Sequence, residues 1–310
     1  MPPTRPTLSR LAALCAATLL GACSEPVQVG SAVYRHEAKT PRCEPGSRPG
    51  AAGITNHEST SKEVPFNVRT PANYDPTIAH PLLLVYASAG NNRYETEGLT
   101  GLTTEATARG FIVAYPDHLR LSLPVLEELA TIPTLIAKRW CIDESRIYLT
   151  GQSDGGMAAD AIAFLAKTRG TADAIAPSAA GVNGKDLAEN SCPEPLPVMV
   201  MHSKNDTVFP GYGAEAARWW AACNRCDPTP GPKDAHGCVA YPNCANGVQT
   251  LYCEGTGEHK DWPPMNSAVL DFFEAHDTAQ KQRQRVLSYI PTAGVNKSLM
   301  GVRWSDRCPR

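Results

Sequence analysis

Short apolar runs of strand length recur along the chain, and segments long enough to hold a helix separate most of them. The runs are VPFNVRT (64–70), PLLLVYA (81–87), FIVAYP (111–116), RIYLT (146–150), LPVMVMH (196–202) and QTLYC (249–253). Several of them are apolar without alternation, which is typical of strands buried on both faces of a parallel sheet. The sequence therefore predicts an α/β layered fold with a mostly parallel sheet and helices on both faces.

Three segments, two between these runs and one after the last, have helical character. The segment 124–140 carries apolar residues at helical spacing, although Pro133 is expected to kink or end a single helix there. The alanine-rich segment 156–168 predicts a second helix, and 267–276 predicts a third with aromatic core residues.

The N-terminus resembles an export signal. Arg5 and Arg10 precede the apolar run 11–22, which is too short to span a bilayer as a stable helix. The run ends in LGACS, which resembles a bacterial lipoprotein box in which Cys23 is lipidated; ordinary cleavage nearby, with Cys23 an unmodified thiol, is the alternative. If the host is Gram-negative, Ser24 after the cysteine, rather than Asp, fits sorting to the outer membrane. We therefore expect an exported protein, lipid-anchored to a bacterial outer membrane or cell surface.

Composition and segment character predict one catalytic domain with flanking extensions. We assign 1–23 to the signal peptide, 24–62 to a Gly, Pro and Ser-rich tether, 63–277 to the domain and 278–310 to a tail that Cys308 ties back. The formal net charge is −2, and no long run of either sign occurs, so we expect no nucleic-acid partner.

Cysteine usage agrees with export. Of eleven cysteines, nine remain when Cys15 and Cys23 of the signal are set aside. They are Cys43, Cys141, Cys192, Cys223, Cys226, Cys238, Cys244, Cys253 and Cys308. An oxidising compartment favours disulfides, of which the chain can form at most four internally, with Cys43 pinning the far end of the tether. A zinc site between residues 223 and 244 is the alternative, but a second C-x-x-C is missing, so we predict disulfides and no metal.

The stretch GQSDG (151–155) follows a strand-like run and precedes a helix-like one, which is the context that a G-x-S-x-G nucleophile turn requires. A serine nucleophile needs a histidine base and a carboxylate that orients the base. Asp206 and His259 each follow a later predicted strand, in the chain order serine, acid, base. Because loops after parallel strands open at one sheet edge, we expect Ser153, Asp206 and His259 to converge there.

On these residues the chain resembles the exported polyhydroxybutyrate depolymerase and feruloyl esterase family of α/β-hydrolases, here as a lipoprotein. The resemblance runs through VRTPANYDP, GFIVAYPD, CIDESRIYLTGQSDGG, VMVMHSKNDTVFP and GEHKDWPP. It implies an α/β-hydrolase fold with Ser153, Asp206 and His259 as nucleophile, acid and base. The motif ending in DTVFP favours Asp206 as the acid over Asp154 or Glu258.

One departure from this family concerns the oxyanion hole. Where the family carries a His-Gly pair, this chain has YASAG (86–90). Backbone N–H groups stabilise the oxyanion, and we expect those of Ser88 and Asp154 to do so. Tyr86 is predicted to present its ring to the substrate. Trp262, three residues after the predicted base, is predicted to contact the substrate, with core packing as the alternative.

Two further polar positions lie near the expected sheet edge. We interpret His202 as structural, because it follows a strand at a position where the family also has histidine. His118 and Asp117 either line a pocket or are solvated loop residues.

The sequence thus predicts a serine carboxylic ester hydrolase that works through an acyl-enzyme and needs no metal or organic cofactor. The resemblance implies feruloyl, acetyl or short hydroxyalkanoate esters, with plant cell-wall oligosaccharide or hydroxyalkanoate oligomers as partners. Two alternatives remain open: a non-catalytic ligand-binding surface lipoprotein with a hydrolase fold, and a serine peptidase on the same fold.

Overall fold

The computed structural model describes residues 27–34 and 42–276. The predicted signal peptide with Cys23 and the predicted tail lie outside the described residues. The strands are β1 Ile54–Ser59, β2 Pro65–Arg69, β3 His80–Tyr86, β4 Ile112–Pro116, β5 Ile142–Gln152, β6 Ala174–Ser178, β7 Val198–Ser203, β8 Cys238–Tyr241 and β9 Thr250–Gly255. The helices are α1 Arg93–Thr100, α2 Thr103–Ala108, α3 Leu123–Leu129, α4 Ile132–Ala137, α5 Asp154–Phe164, α6 Gly184–Ala188 and α7 Tyr212–Cys223, followed by α8 at 266–276.

The strands form one sheet in the order β1-β2-β4-β3-β5-β6-β7-β9-β8. The central neighbours from β4 to β9 pair in parallel, whereas β1, β2 and β8 join at the edges in antiparallel fashion. The carboxyl ends of β3, β5, β7 and β9 therefore lie at one edge of the sheet. The predicted α/β fold with a mostly parallel sheet is confirmed.

Hydrophobic clusters cover both faces of this sheet. Leu82 and Leu84 of β3 contribute to a cluster with α3, α4, α5, α6 and α7, whereas Leu83 and Val85 contribute to one with α2 and α8. All four side chains are fully buried. Burial on both faces accounts for the unbroken apolar character of this strand.

The helical segment 124–140 is interrupted as Pro133 predicts. Helix α3 ends at Leu129 and α4 begins at Ile132, so Pro133 lies in the first turn of α4. In the first turn of a helix a backbone N–H has no intrahelical acceptor. Proline, which lacks this N–H, can therefore start the second helix without the loss of a hydrogen bond.

Three strands differ from the sequence prediction. The AIAPS run of β6 is short, and its alanines and Pro177 have low strand propensity. The antiparallel edge strand β8 has only four residues. The third, β1, lies inside the predicted tether 24–62 and pairs with β2. Its partly exposed residues lack the apolar alternation that marks a strand. Gly30 and Ala32, near the start of that segment, also form hydrogen bonds to Thr107 and Asn73, so the described part of the predicted tether packs on the domain.

Four disulfides join the cysteines of the described chain. They are Cys43–Cys141, Cys192–Cys223, Cys226–Cys244 and Cys238–Cys253. The bond from Cys43 pins the segment before β1 to the start of β5, as predicted, and the cluster between residues 223 and 244 is disulfide-bonded rather than a set of free thiolates. Cys308, which was expected to tie back the tail, lies outside the described residues.

Within 27–34 and 42–276, no helix has the length and apolarity needed to cross a bilayer.

Candidate active site

Ser153 lies in a strained turn between β5 and α5. Its backbone has φ 56° and ψ −118°, which an L-residue with a side chain seldom adopts. The Ser153 N–H donates to the carbonyl of Ser178 at the end of β6, 2.9 Å away. This contact and the following helix hold the turn, which raises the serine above the sheet edge in the way a nucleophile elbow requires.

Close backbone approach explains the glycines of this turn. A Cβ on Gly155 would lie 2.1 Å from the carbonyl oxygen of Tyr86, and one on Gly151 would lie 2.6 Å from the same oxygen. A Cβ on Gly156 would lie 2.6 Å from the carbonyl oxygen of Ser178. Since these contacts are with backbone, no side-chain rotation relieves them, and the turn needs glycine at each position.

The structure brings together the three residues predicted as nucleophile, base and acid. The Ser153 Oγ lies 2.9 Å from the Nε2 of His259, and the Nδ1 of His259 lies 2.8 Å from the Oδ2 of Asp206. If Nδ1 carries the proton, Nε2 is free to accept the serine proton. The arrangement can therefore transfer a proton from the serine while the carboxylate stabilises the resulting imidazolium.

Asp206 is held as an ionised hydrogen-bond acceptor. Its side chain is fully buried, and its Oδ1 accepts the backbone N–H groups of Val208 and Phe209, both at 2.9 Å. Burial by itself raises the pKa of a carboxylate, but the hydrogen bonds from Phe209 and His259 outweigh it and hold the pKa of Asp206 below its usual value. The carboxylate is thus ionised at neutral pH and orients the base.

Phe209 also contacts the base directly, a role the sequence analysis missed. Its ring meets the imidazole of His259 edge-on, with 5.0 Å between centroids, and stacks on Tyr212 on its other side. Its carbonyl accepts a hydrogen bond from the Nε2 of His202, whose side chain is buried. Burial lowers the pKa of His202, so this histidine is neutral and packs behind the acid. The DTVFP motif was the only sequence signal for this arrangement.

The two predicted oxyanion donors lie in two segments that meet at the elbow. Ser88 is in the loop after β3, where the backbone of Tyr86 and Ala87 packs on Gly155, and Asp154 is the first residue of α5. Within the described chain, neither backbone N–H has a hydrogen-bond acceptor. An N–H at a helix start also carries the positive end of the helix dipole, so Asp154 is suited to face a developing negative charge.

The remaining carboxylates near the triad have other partners. The Oδ2 of Asp154 lies 2.9 Å from the Nε2 of His118, and Glu258 pairs with Lys260 at the surface. Asp117 forms an ion pair with Arg93 at 2.7 Å. His118 therefore borders the site through Asp154, whereas Asp117 binds the first residue of α1.

Tyr86 does not lie where the sequence analysis expected it. Its side chain is 1% exposed and belongs to the cluster that contains Leu82 and Leu84, and only its backbone lies against the elbow. Residues two apart on a strand share a face, so Tyr86 follows these leucines into the core. Burial raises the pKa of its hydroxyl, which has no hydrogen-bond partner among the described residues.

Trp262 lies at the carboxyl edge of the sheet and is half-buried. Its indole N–H donates to the Oδ1 of Asn266 at 2.7 Å, and its ring packs against the cluster beneath α8. The ring also lines a cavity of about 770 Å³, together with Ser203 and Glu254 at the ends of β7 and β9. Core packing is thus present, and substrate contact by Trp262 stays a prediction.

No protein-family model matches the chain, and neither does any curated protein. Among solved structures, an acetyl xylan esterase from Aspergillus awamori is similar at a TM-score of 0.57 and 14% identity, covering 73% of this chain and 99% of that one. A ferulic acid esterase from Anaeromyces mucronatus, solved in complex with ferulic acid, is similar at a TM-score of 0.50 and 12% identity, covering 82% of this chain and 100% of that one. At these identities the likeness concerns the fold, and the chain has the α/β-hydrolase fold that the sequence predicts.

Proposed function

We propose that the protein is a serine carboxylic ester hydrolase. The observation that supports this most directly is the hydrogen-bonded series from Asp206 through His259 to Ser153, with the serine on a strained turn at the carboxyl edge of the sheet. A buried acid, an oriented imidazole and a serine hydroxyl within hydrogen-bond distance of that imidazole are what acyl transfer by serine requires.

In the proposed mechanism, His259 accepts the Ser153 proton as the serine oxygen attacks the ester carbonyl. The N–H groups of Ser88 and Asp154 bind the oxyanion of the tetrahedral intermediate. His259 then returns the proton to the departing alcohol, leaving an acyl-serine. Water activated by the same imidazole hydrolyses this acyl-enzyme and releases the acid. Every proton transfer uses groups of the chain, so the scheme contains no metal or organic cofactor.

The proposed substrates are feruloyl, acetyl or short hydroxyalkanoate esters. The similar structures are an acetyl xylan esterase and a ferulic acid esterase bound to ferulic acid. In this chain, the stacked rings of Phe209 and Tyr212 form an apolar surface beside His259. Such a surface suits an apolar acyl group attached to a plant cell-wall oligosaccharide or a hydroxyalkanoate oligomer.

We further propose that the protein is exported and anchored through lipidated Cys23, with the bacterial outer membrane or cell surface as its location. Four disulfides in the described chain support folding in an oxidising compartment. Mass spectrometry of the protein purified from membranes tests the anchor, because a diacylglyceryl group on Cys23 has a defined mass.

Hydrolysis of p-nitrophenyl acetate and methyl ferulate tests the proposed activity. We expect the chain from Ser24 onward to turn over at least one of them, Ser153→Ala to abolish turnover, and Ser47→Ala, at an exposed position, to leave it unchanged. A serine-directed fluorophosphonate should label the unmodified chain quickly and Ser153→Ala not at all. Folded, oxidised protein that neither hydrolyses esters nor reacts with the phosphonate would favour a ligand-binding surface lipoprotein instead.

A further inference from the structure

Gln152, the residue before the predicted nucleophile, makes two buried side-chain hydrogen bonds. Its side chain is at the end of β5, and the residue is 3% exposed. Its Oε1 accepts the hydroxyl of Ser88 at 2.5 Å, and its Nε2 donates to the backbone carbonyl of His259. A carbonyl oxygen can only accept, so the amide orientation is determined: the amide N–H₂ faces His259 and the amide oxygen faces Ser88.

These bonds link the loop after β3 to the loop after β9, two strands that are not neighbours in the sheet. Strand β3, which precedes Ser88, pairs directly with β5, but β9, which precedes His259, is separated from β5 by β6 and β7. At roughly 4.8 Å between neighbouring strands, the end of β9 lies about 14 Å from the end of β5. The loop that carries His259 must therefore cross the ends of two strands to reach Ser153. The Gln152 amide binds this loop at the backbone carbonyl of His259.

We propose that Gln152 is a positioning residue that holds the predicted oxyanion donor Ser88 and the predicted base His259 in register with the nucleophile; this inference rests on the proposed ester hydrolysis. Ser88 contributes its backbone N–H to the oxyanion, while its hydroxyl is bound to Gln152. A shift of Ser88 or His259 by a fraction of an ångström weakens bonds that matter only in the transition state. Gln152 thus acts on turnover rather than on substrate binding.

Gln152→Met tests this role, because methionine has a similar length and cannot form either bond. We expect kcat to fall about tenfold to a hundredfold, less than the full loss of an oxyanion donor, with KM within about twofold. Ser88→Ala removes only one of the two bonds and keeps its backbone N–H, so its kcat should fall less. The matched control is Gln249→Met, at an exposed position away from the site, which should leave both constants unchanged.

The double variant Gln152→Met with Ser88→Ala separates positioning from independent effects. If Ser88 is held through Gln152, the double variant should be no slower than Gln152→Met alone, since that change already releases Ser88. Near-ultraviolet circular dichroism confirms that each variant is folded, and if Gln152→Met does not fold, the smaller Ser88→Ala change decides. Unchanged kcat in Ser88→Ala, a rise in KM alone, or fully multiplicative effects in the double variant each overturn the inference. Failure of the unmodified chain to hydrolyse esters and to react with a fluorophosphonate would instead overturn the proposed function and the inference with it.

Discussion

The buried carboxyl of Asp160 gives a quantitative prediction about stability and pH. Asp160 lies in α5 and is 0% exposed. Its Oδ1 accepts the indole N–H of Trp220 at 2.9 Å, and its Oδ2 has no hydrogen-bond partner among the described residues. Burial raises the pKa of Asp160 from 3.8 to about 7, while the bond from Trp220 opposes this rise. The folded chain therefore holds a proton that the unfolded chain releases near pH 4.

The sign of the effect follows from proton binding. Between pH 4 and pH 7 the folded state binds more protons at this site, so the contribution of Asp160 to stability falls as pH rises and is constant above pH 7. A difference of about 3 pKa units corresponds to about 4 kcal/mol, and the part between pH 5 and pH 8 is about 3 kcal/mol. Asp160→Asn keeps an acceptor for Trp220 but does not ionise. Its unpaired amide N–H₂ costs about the same at every pH.

Urea unfolding followed by tryptophan fluorescence at pH 5, 6, 7 and 8 measures this difference. We expect the free energy of unfolding of Asp160→Asn, relative to the unmodified chain, to increase by about 3 kcal/mol from pH 5 to pH 8. His80 and His202, whose pKa values burial lowers, change stability in the opposite direction over this range, but they are present in both chains and cancel. Asp227→Asn, at an exposed carboxylate, is the control. Parallel pH dependences for Asp160→Asn and the unmodified chain would refute the argument.

Three shorter predictions concern the elbow, the acid and a buried ion pair. Gly155→Ala should abolish hydrolysis and lower Tm, because its Cβ would lie 2.1 Å from a backbone oxygen, whereas Gly98→Ala, where a Cβ meets nothing within 4 Å, should raise stability by about 0.5–1 kcal/mol. Asp206→Asn should lower kcat by about 10⁴ while Tm changes little, which ester hydrolysis and calorimetry check together. Glu97→Ala leaves the guanidinium of Arg69 buried without its partner and should cost about 3–5 kcal/mol in urea unfolding, and a loss below 1 kcal/mol would contradict this.

Local patterns in the sequence were sufficient to predict the sharp turn at Ser153 and the hydrogen-bonded grouping of Ser153, Asp206 and His259. The glycines around Ser153 are needed because other backbone atoms approach them closely. This requirement is visible in the sequence as glycines at fixed spacing around the serine. Asp206 and His259 follow apolar runs that could be recognised as strands, so their convergence follows from parallel pairing. A single sequence therefore reveals those polar residues that directly follow a recognisable strand.

Contacts between loops were not predictable in the same way. Gln152 occupies the variable position of the motif, and nothing next to it in the chain indicates that its amide meets Ser88 and His259, which are 64 and 107 residues away. For Tyr86, the last residue of β3, side-chain alternation could have placed the ring with Leu82 and Leu84. The expectation that it faces the substrate came from the family resemblance, in which Tyr86 takes the place of a histidine, and that correspondence carries no information about the face of the strand.

The loop from β9 to His259 is hydrogen-bonded to the ends of two different strands, β7 and β5. Ser203, the last residue of β7, donates a side-chain hydrogen bond to the carbonyl of Gly257 near the start of this loop. Asn205, two residues later, donates one to the carbonyl of Thr256. Asp206 comes next in the chain, so the acid and the beginning of the base loop are held to the same strand end. At its far end, the loop is held to β5 through Gln152. The first attachment holds His259 near Asp206, and the second holds it near Ser153, so a change in Gln152 should separate His259 from Ser153 without separating it from Asp206.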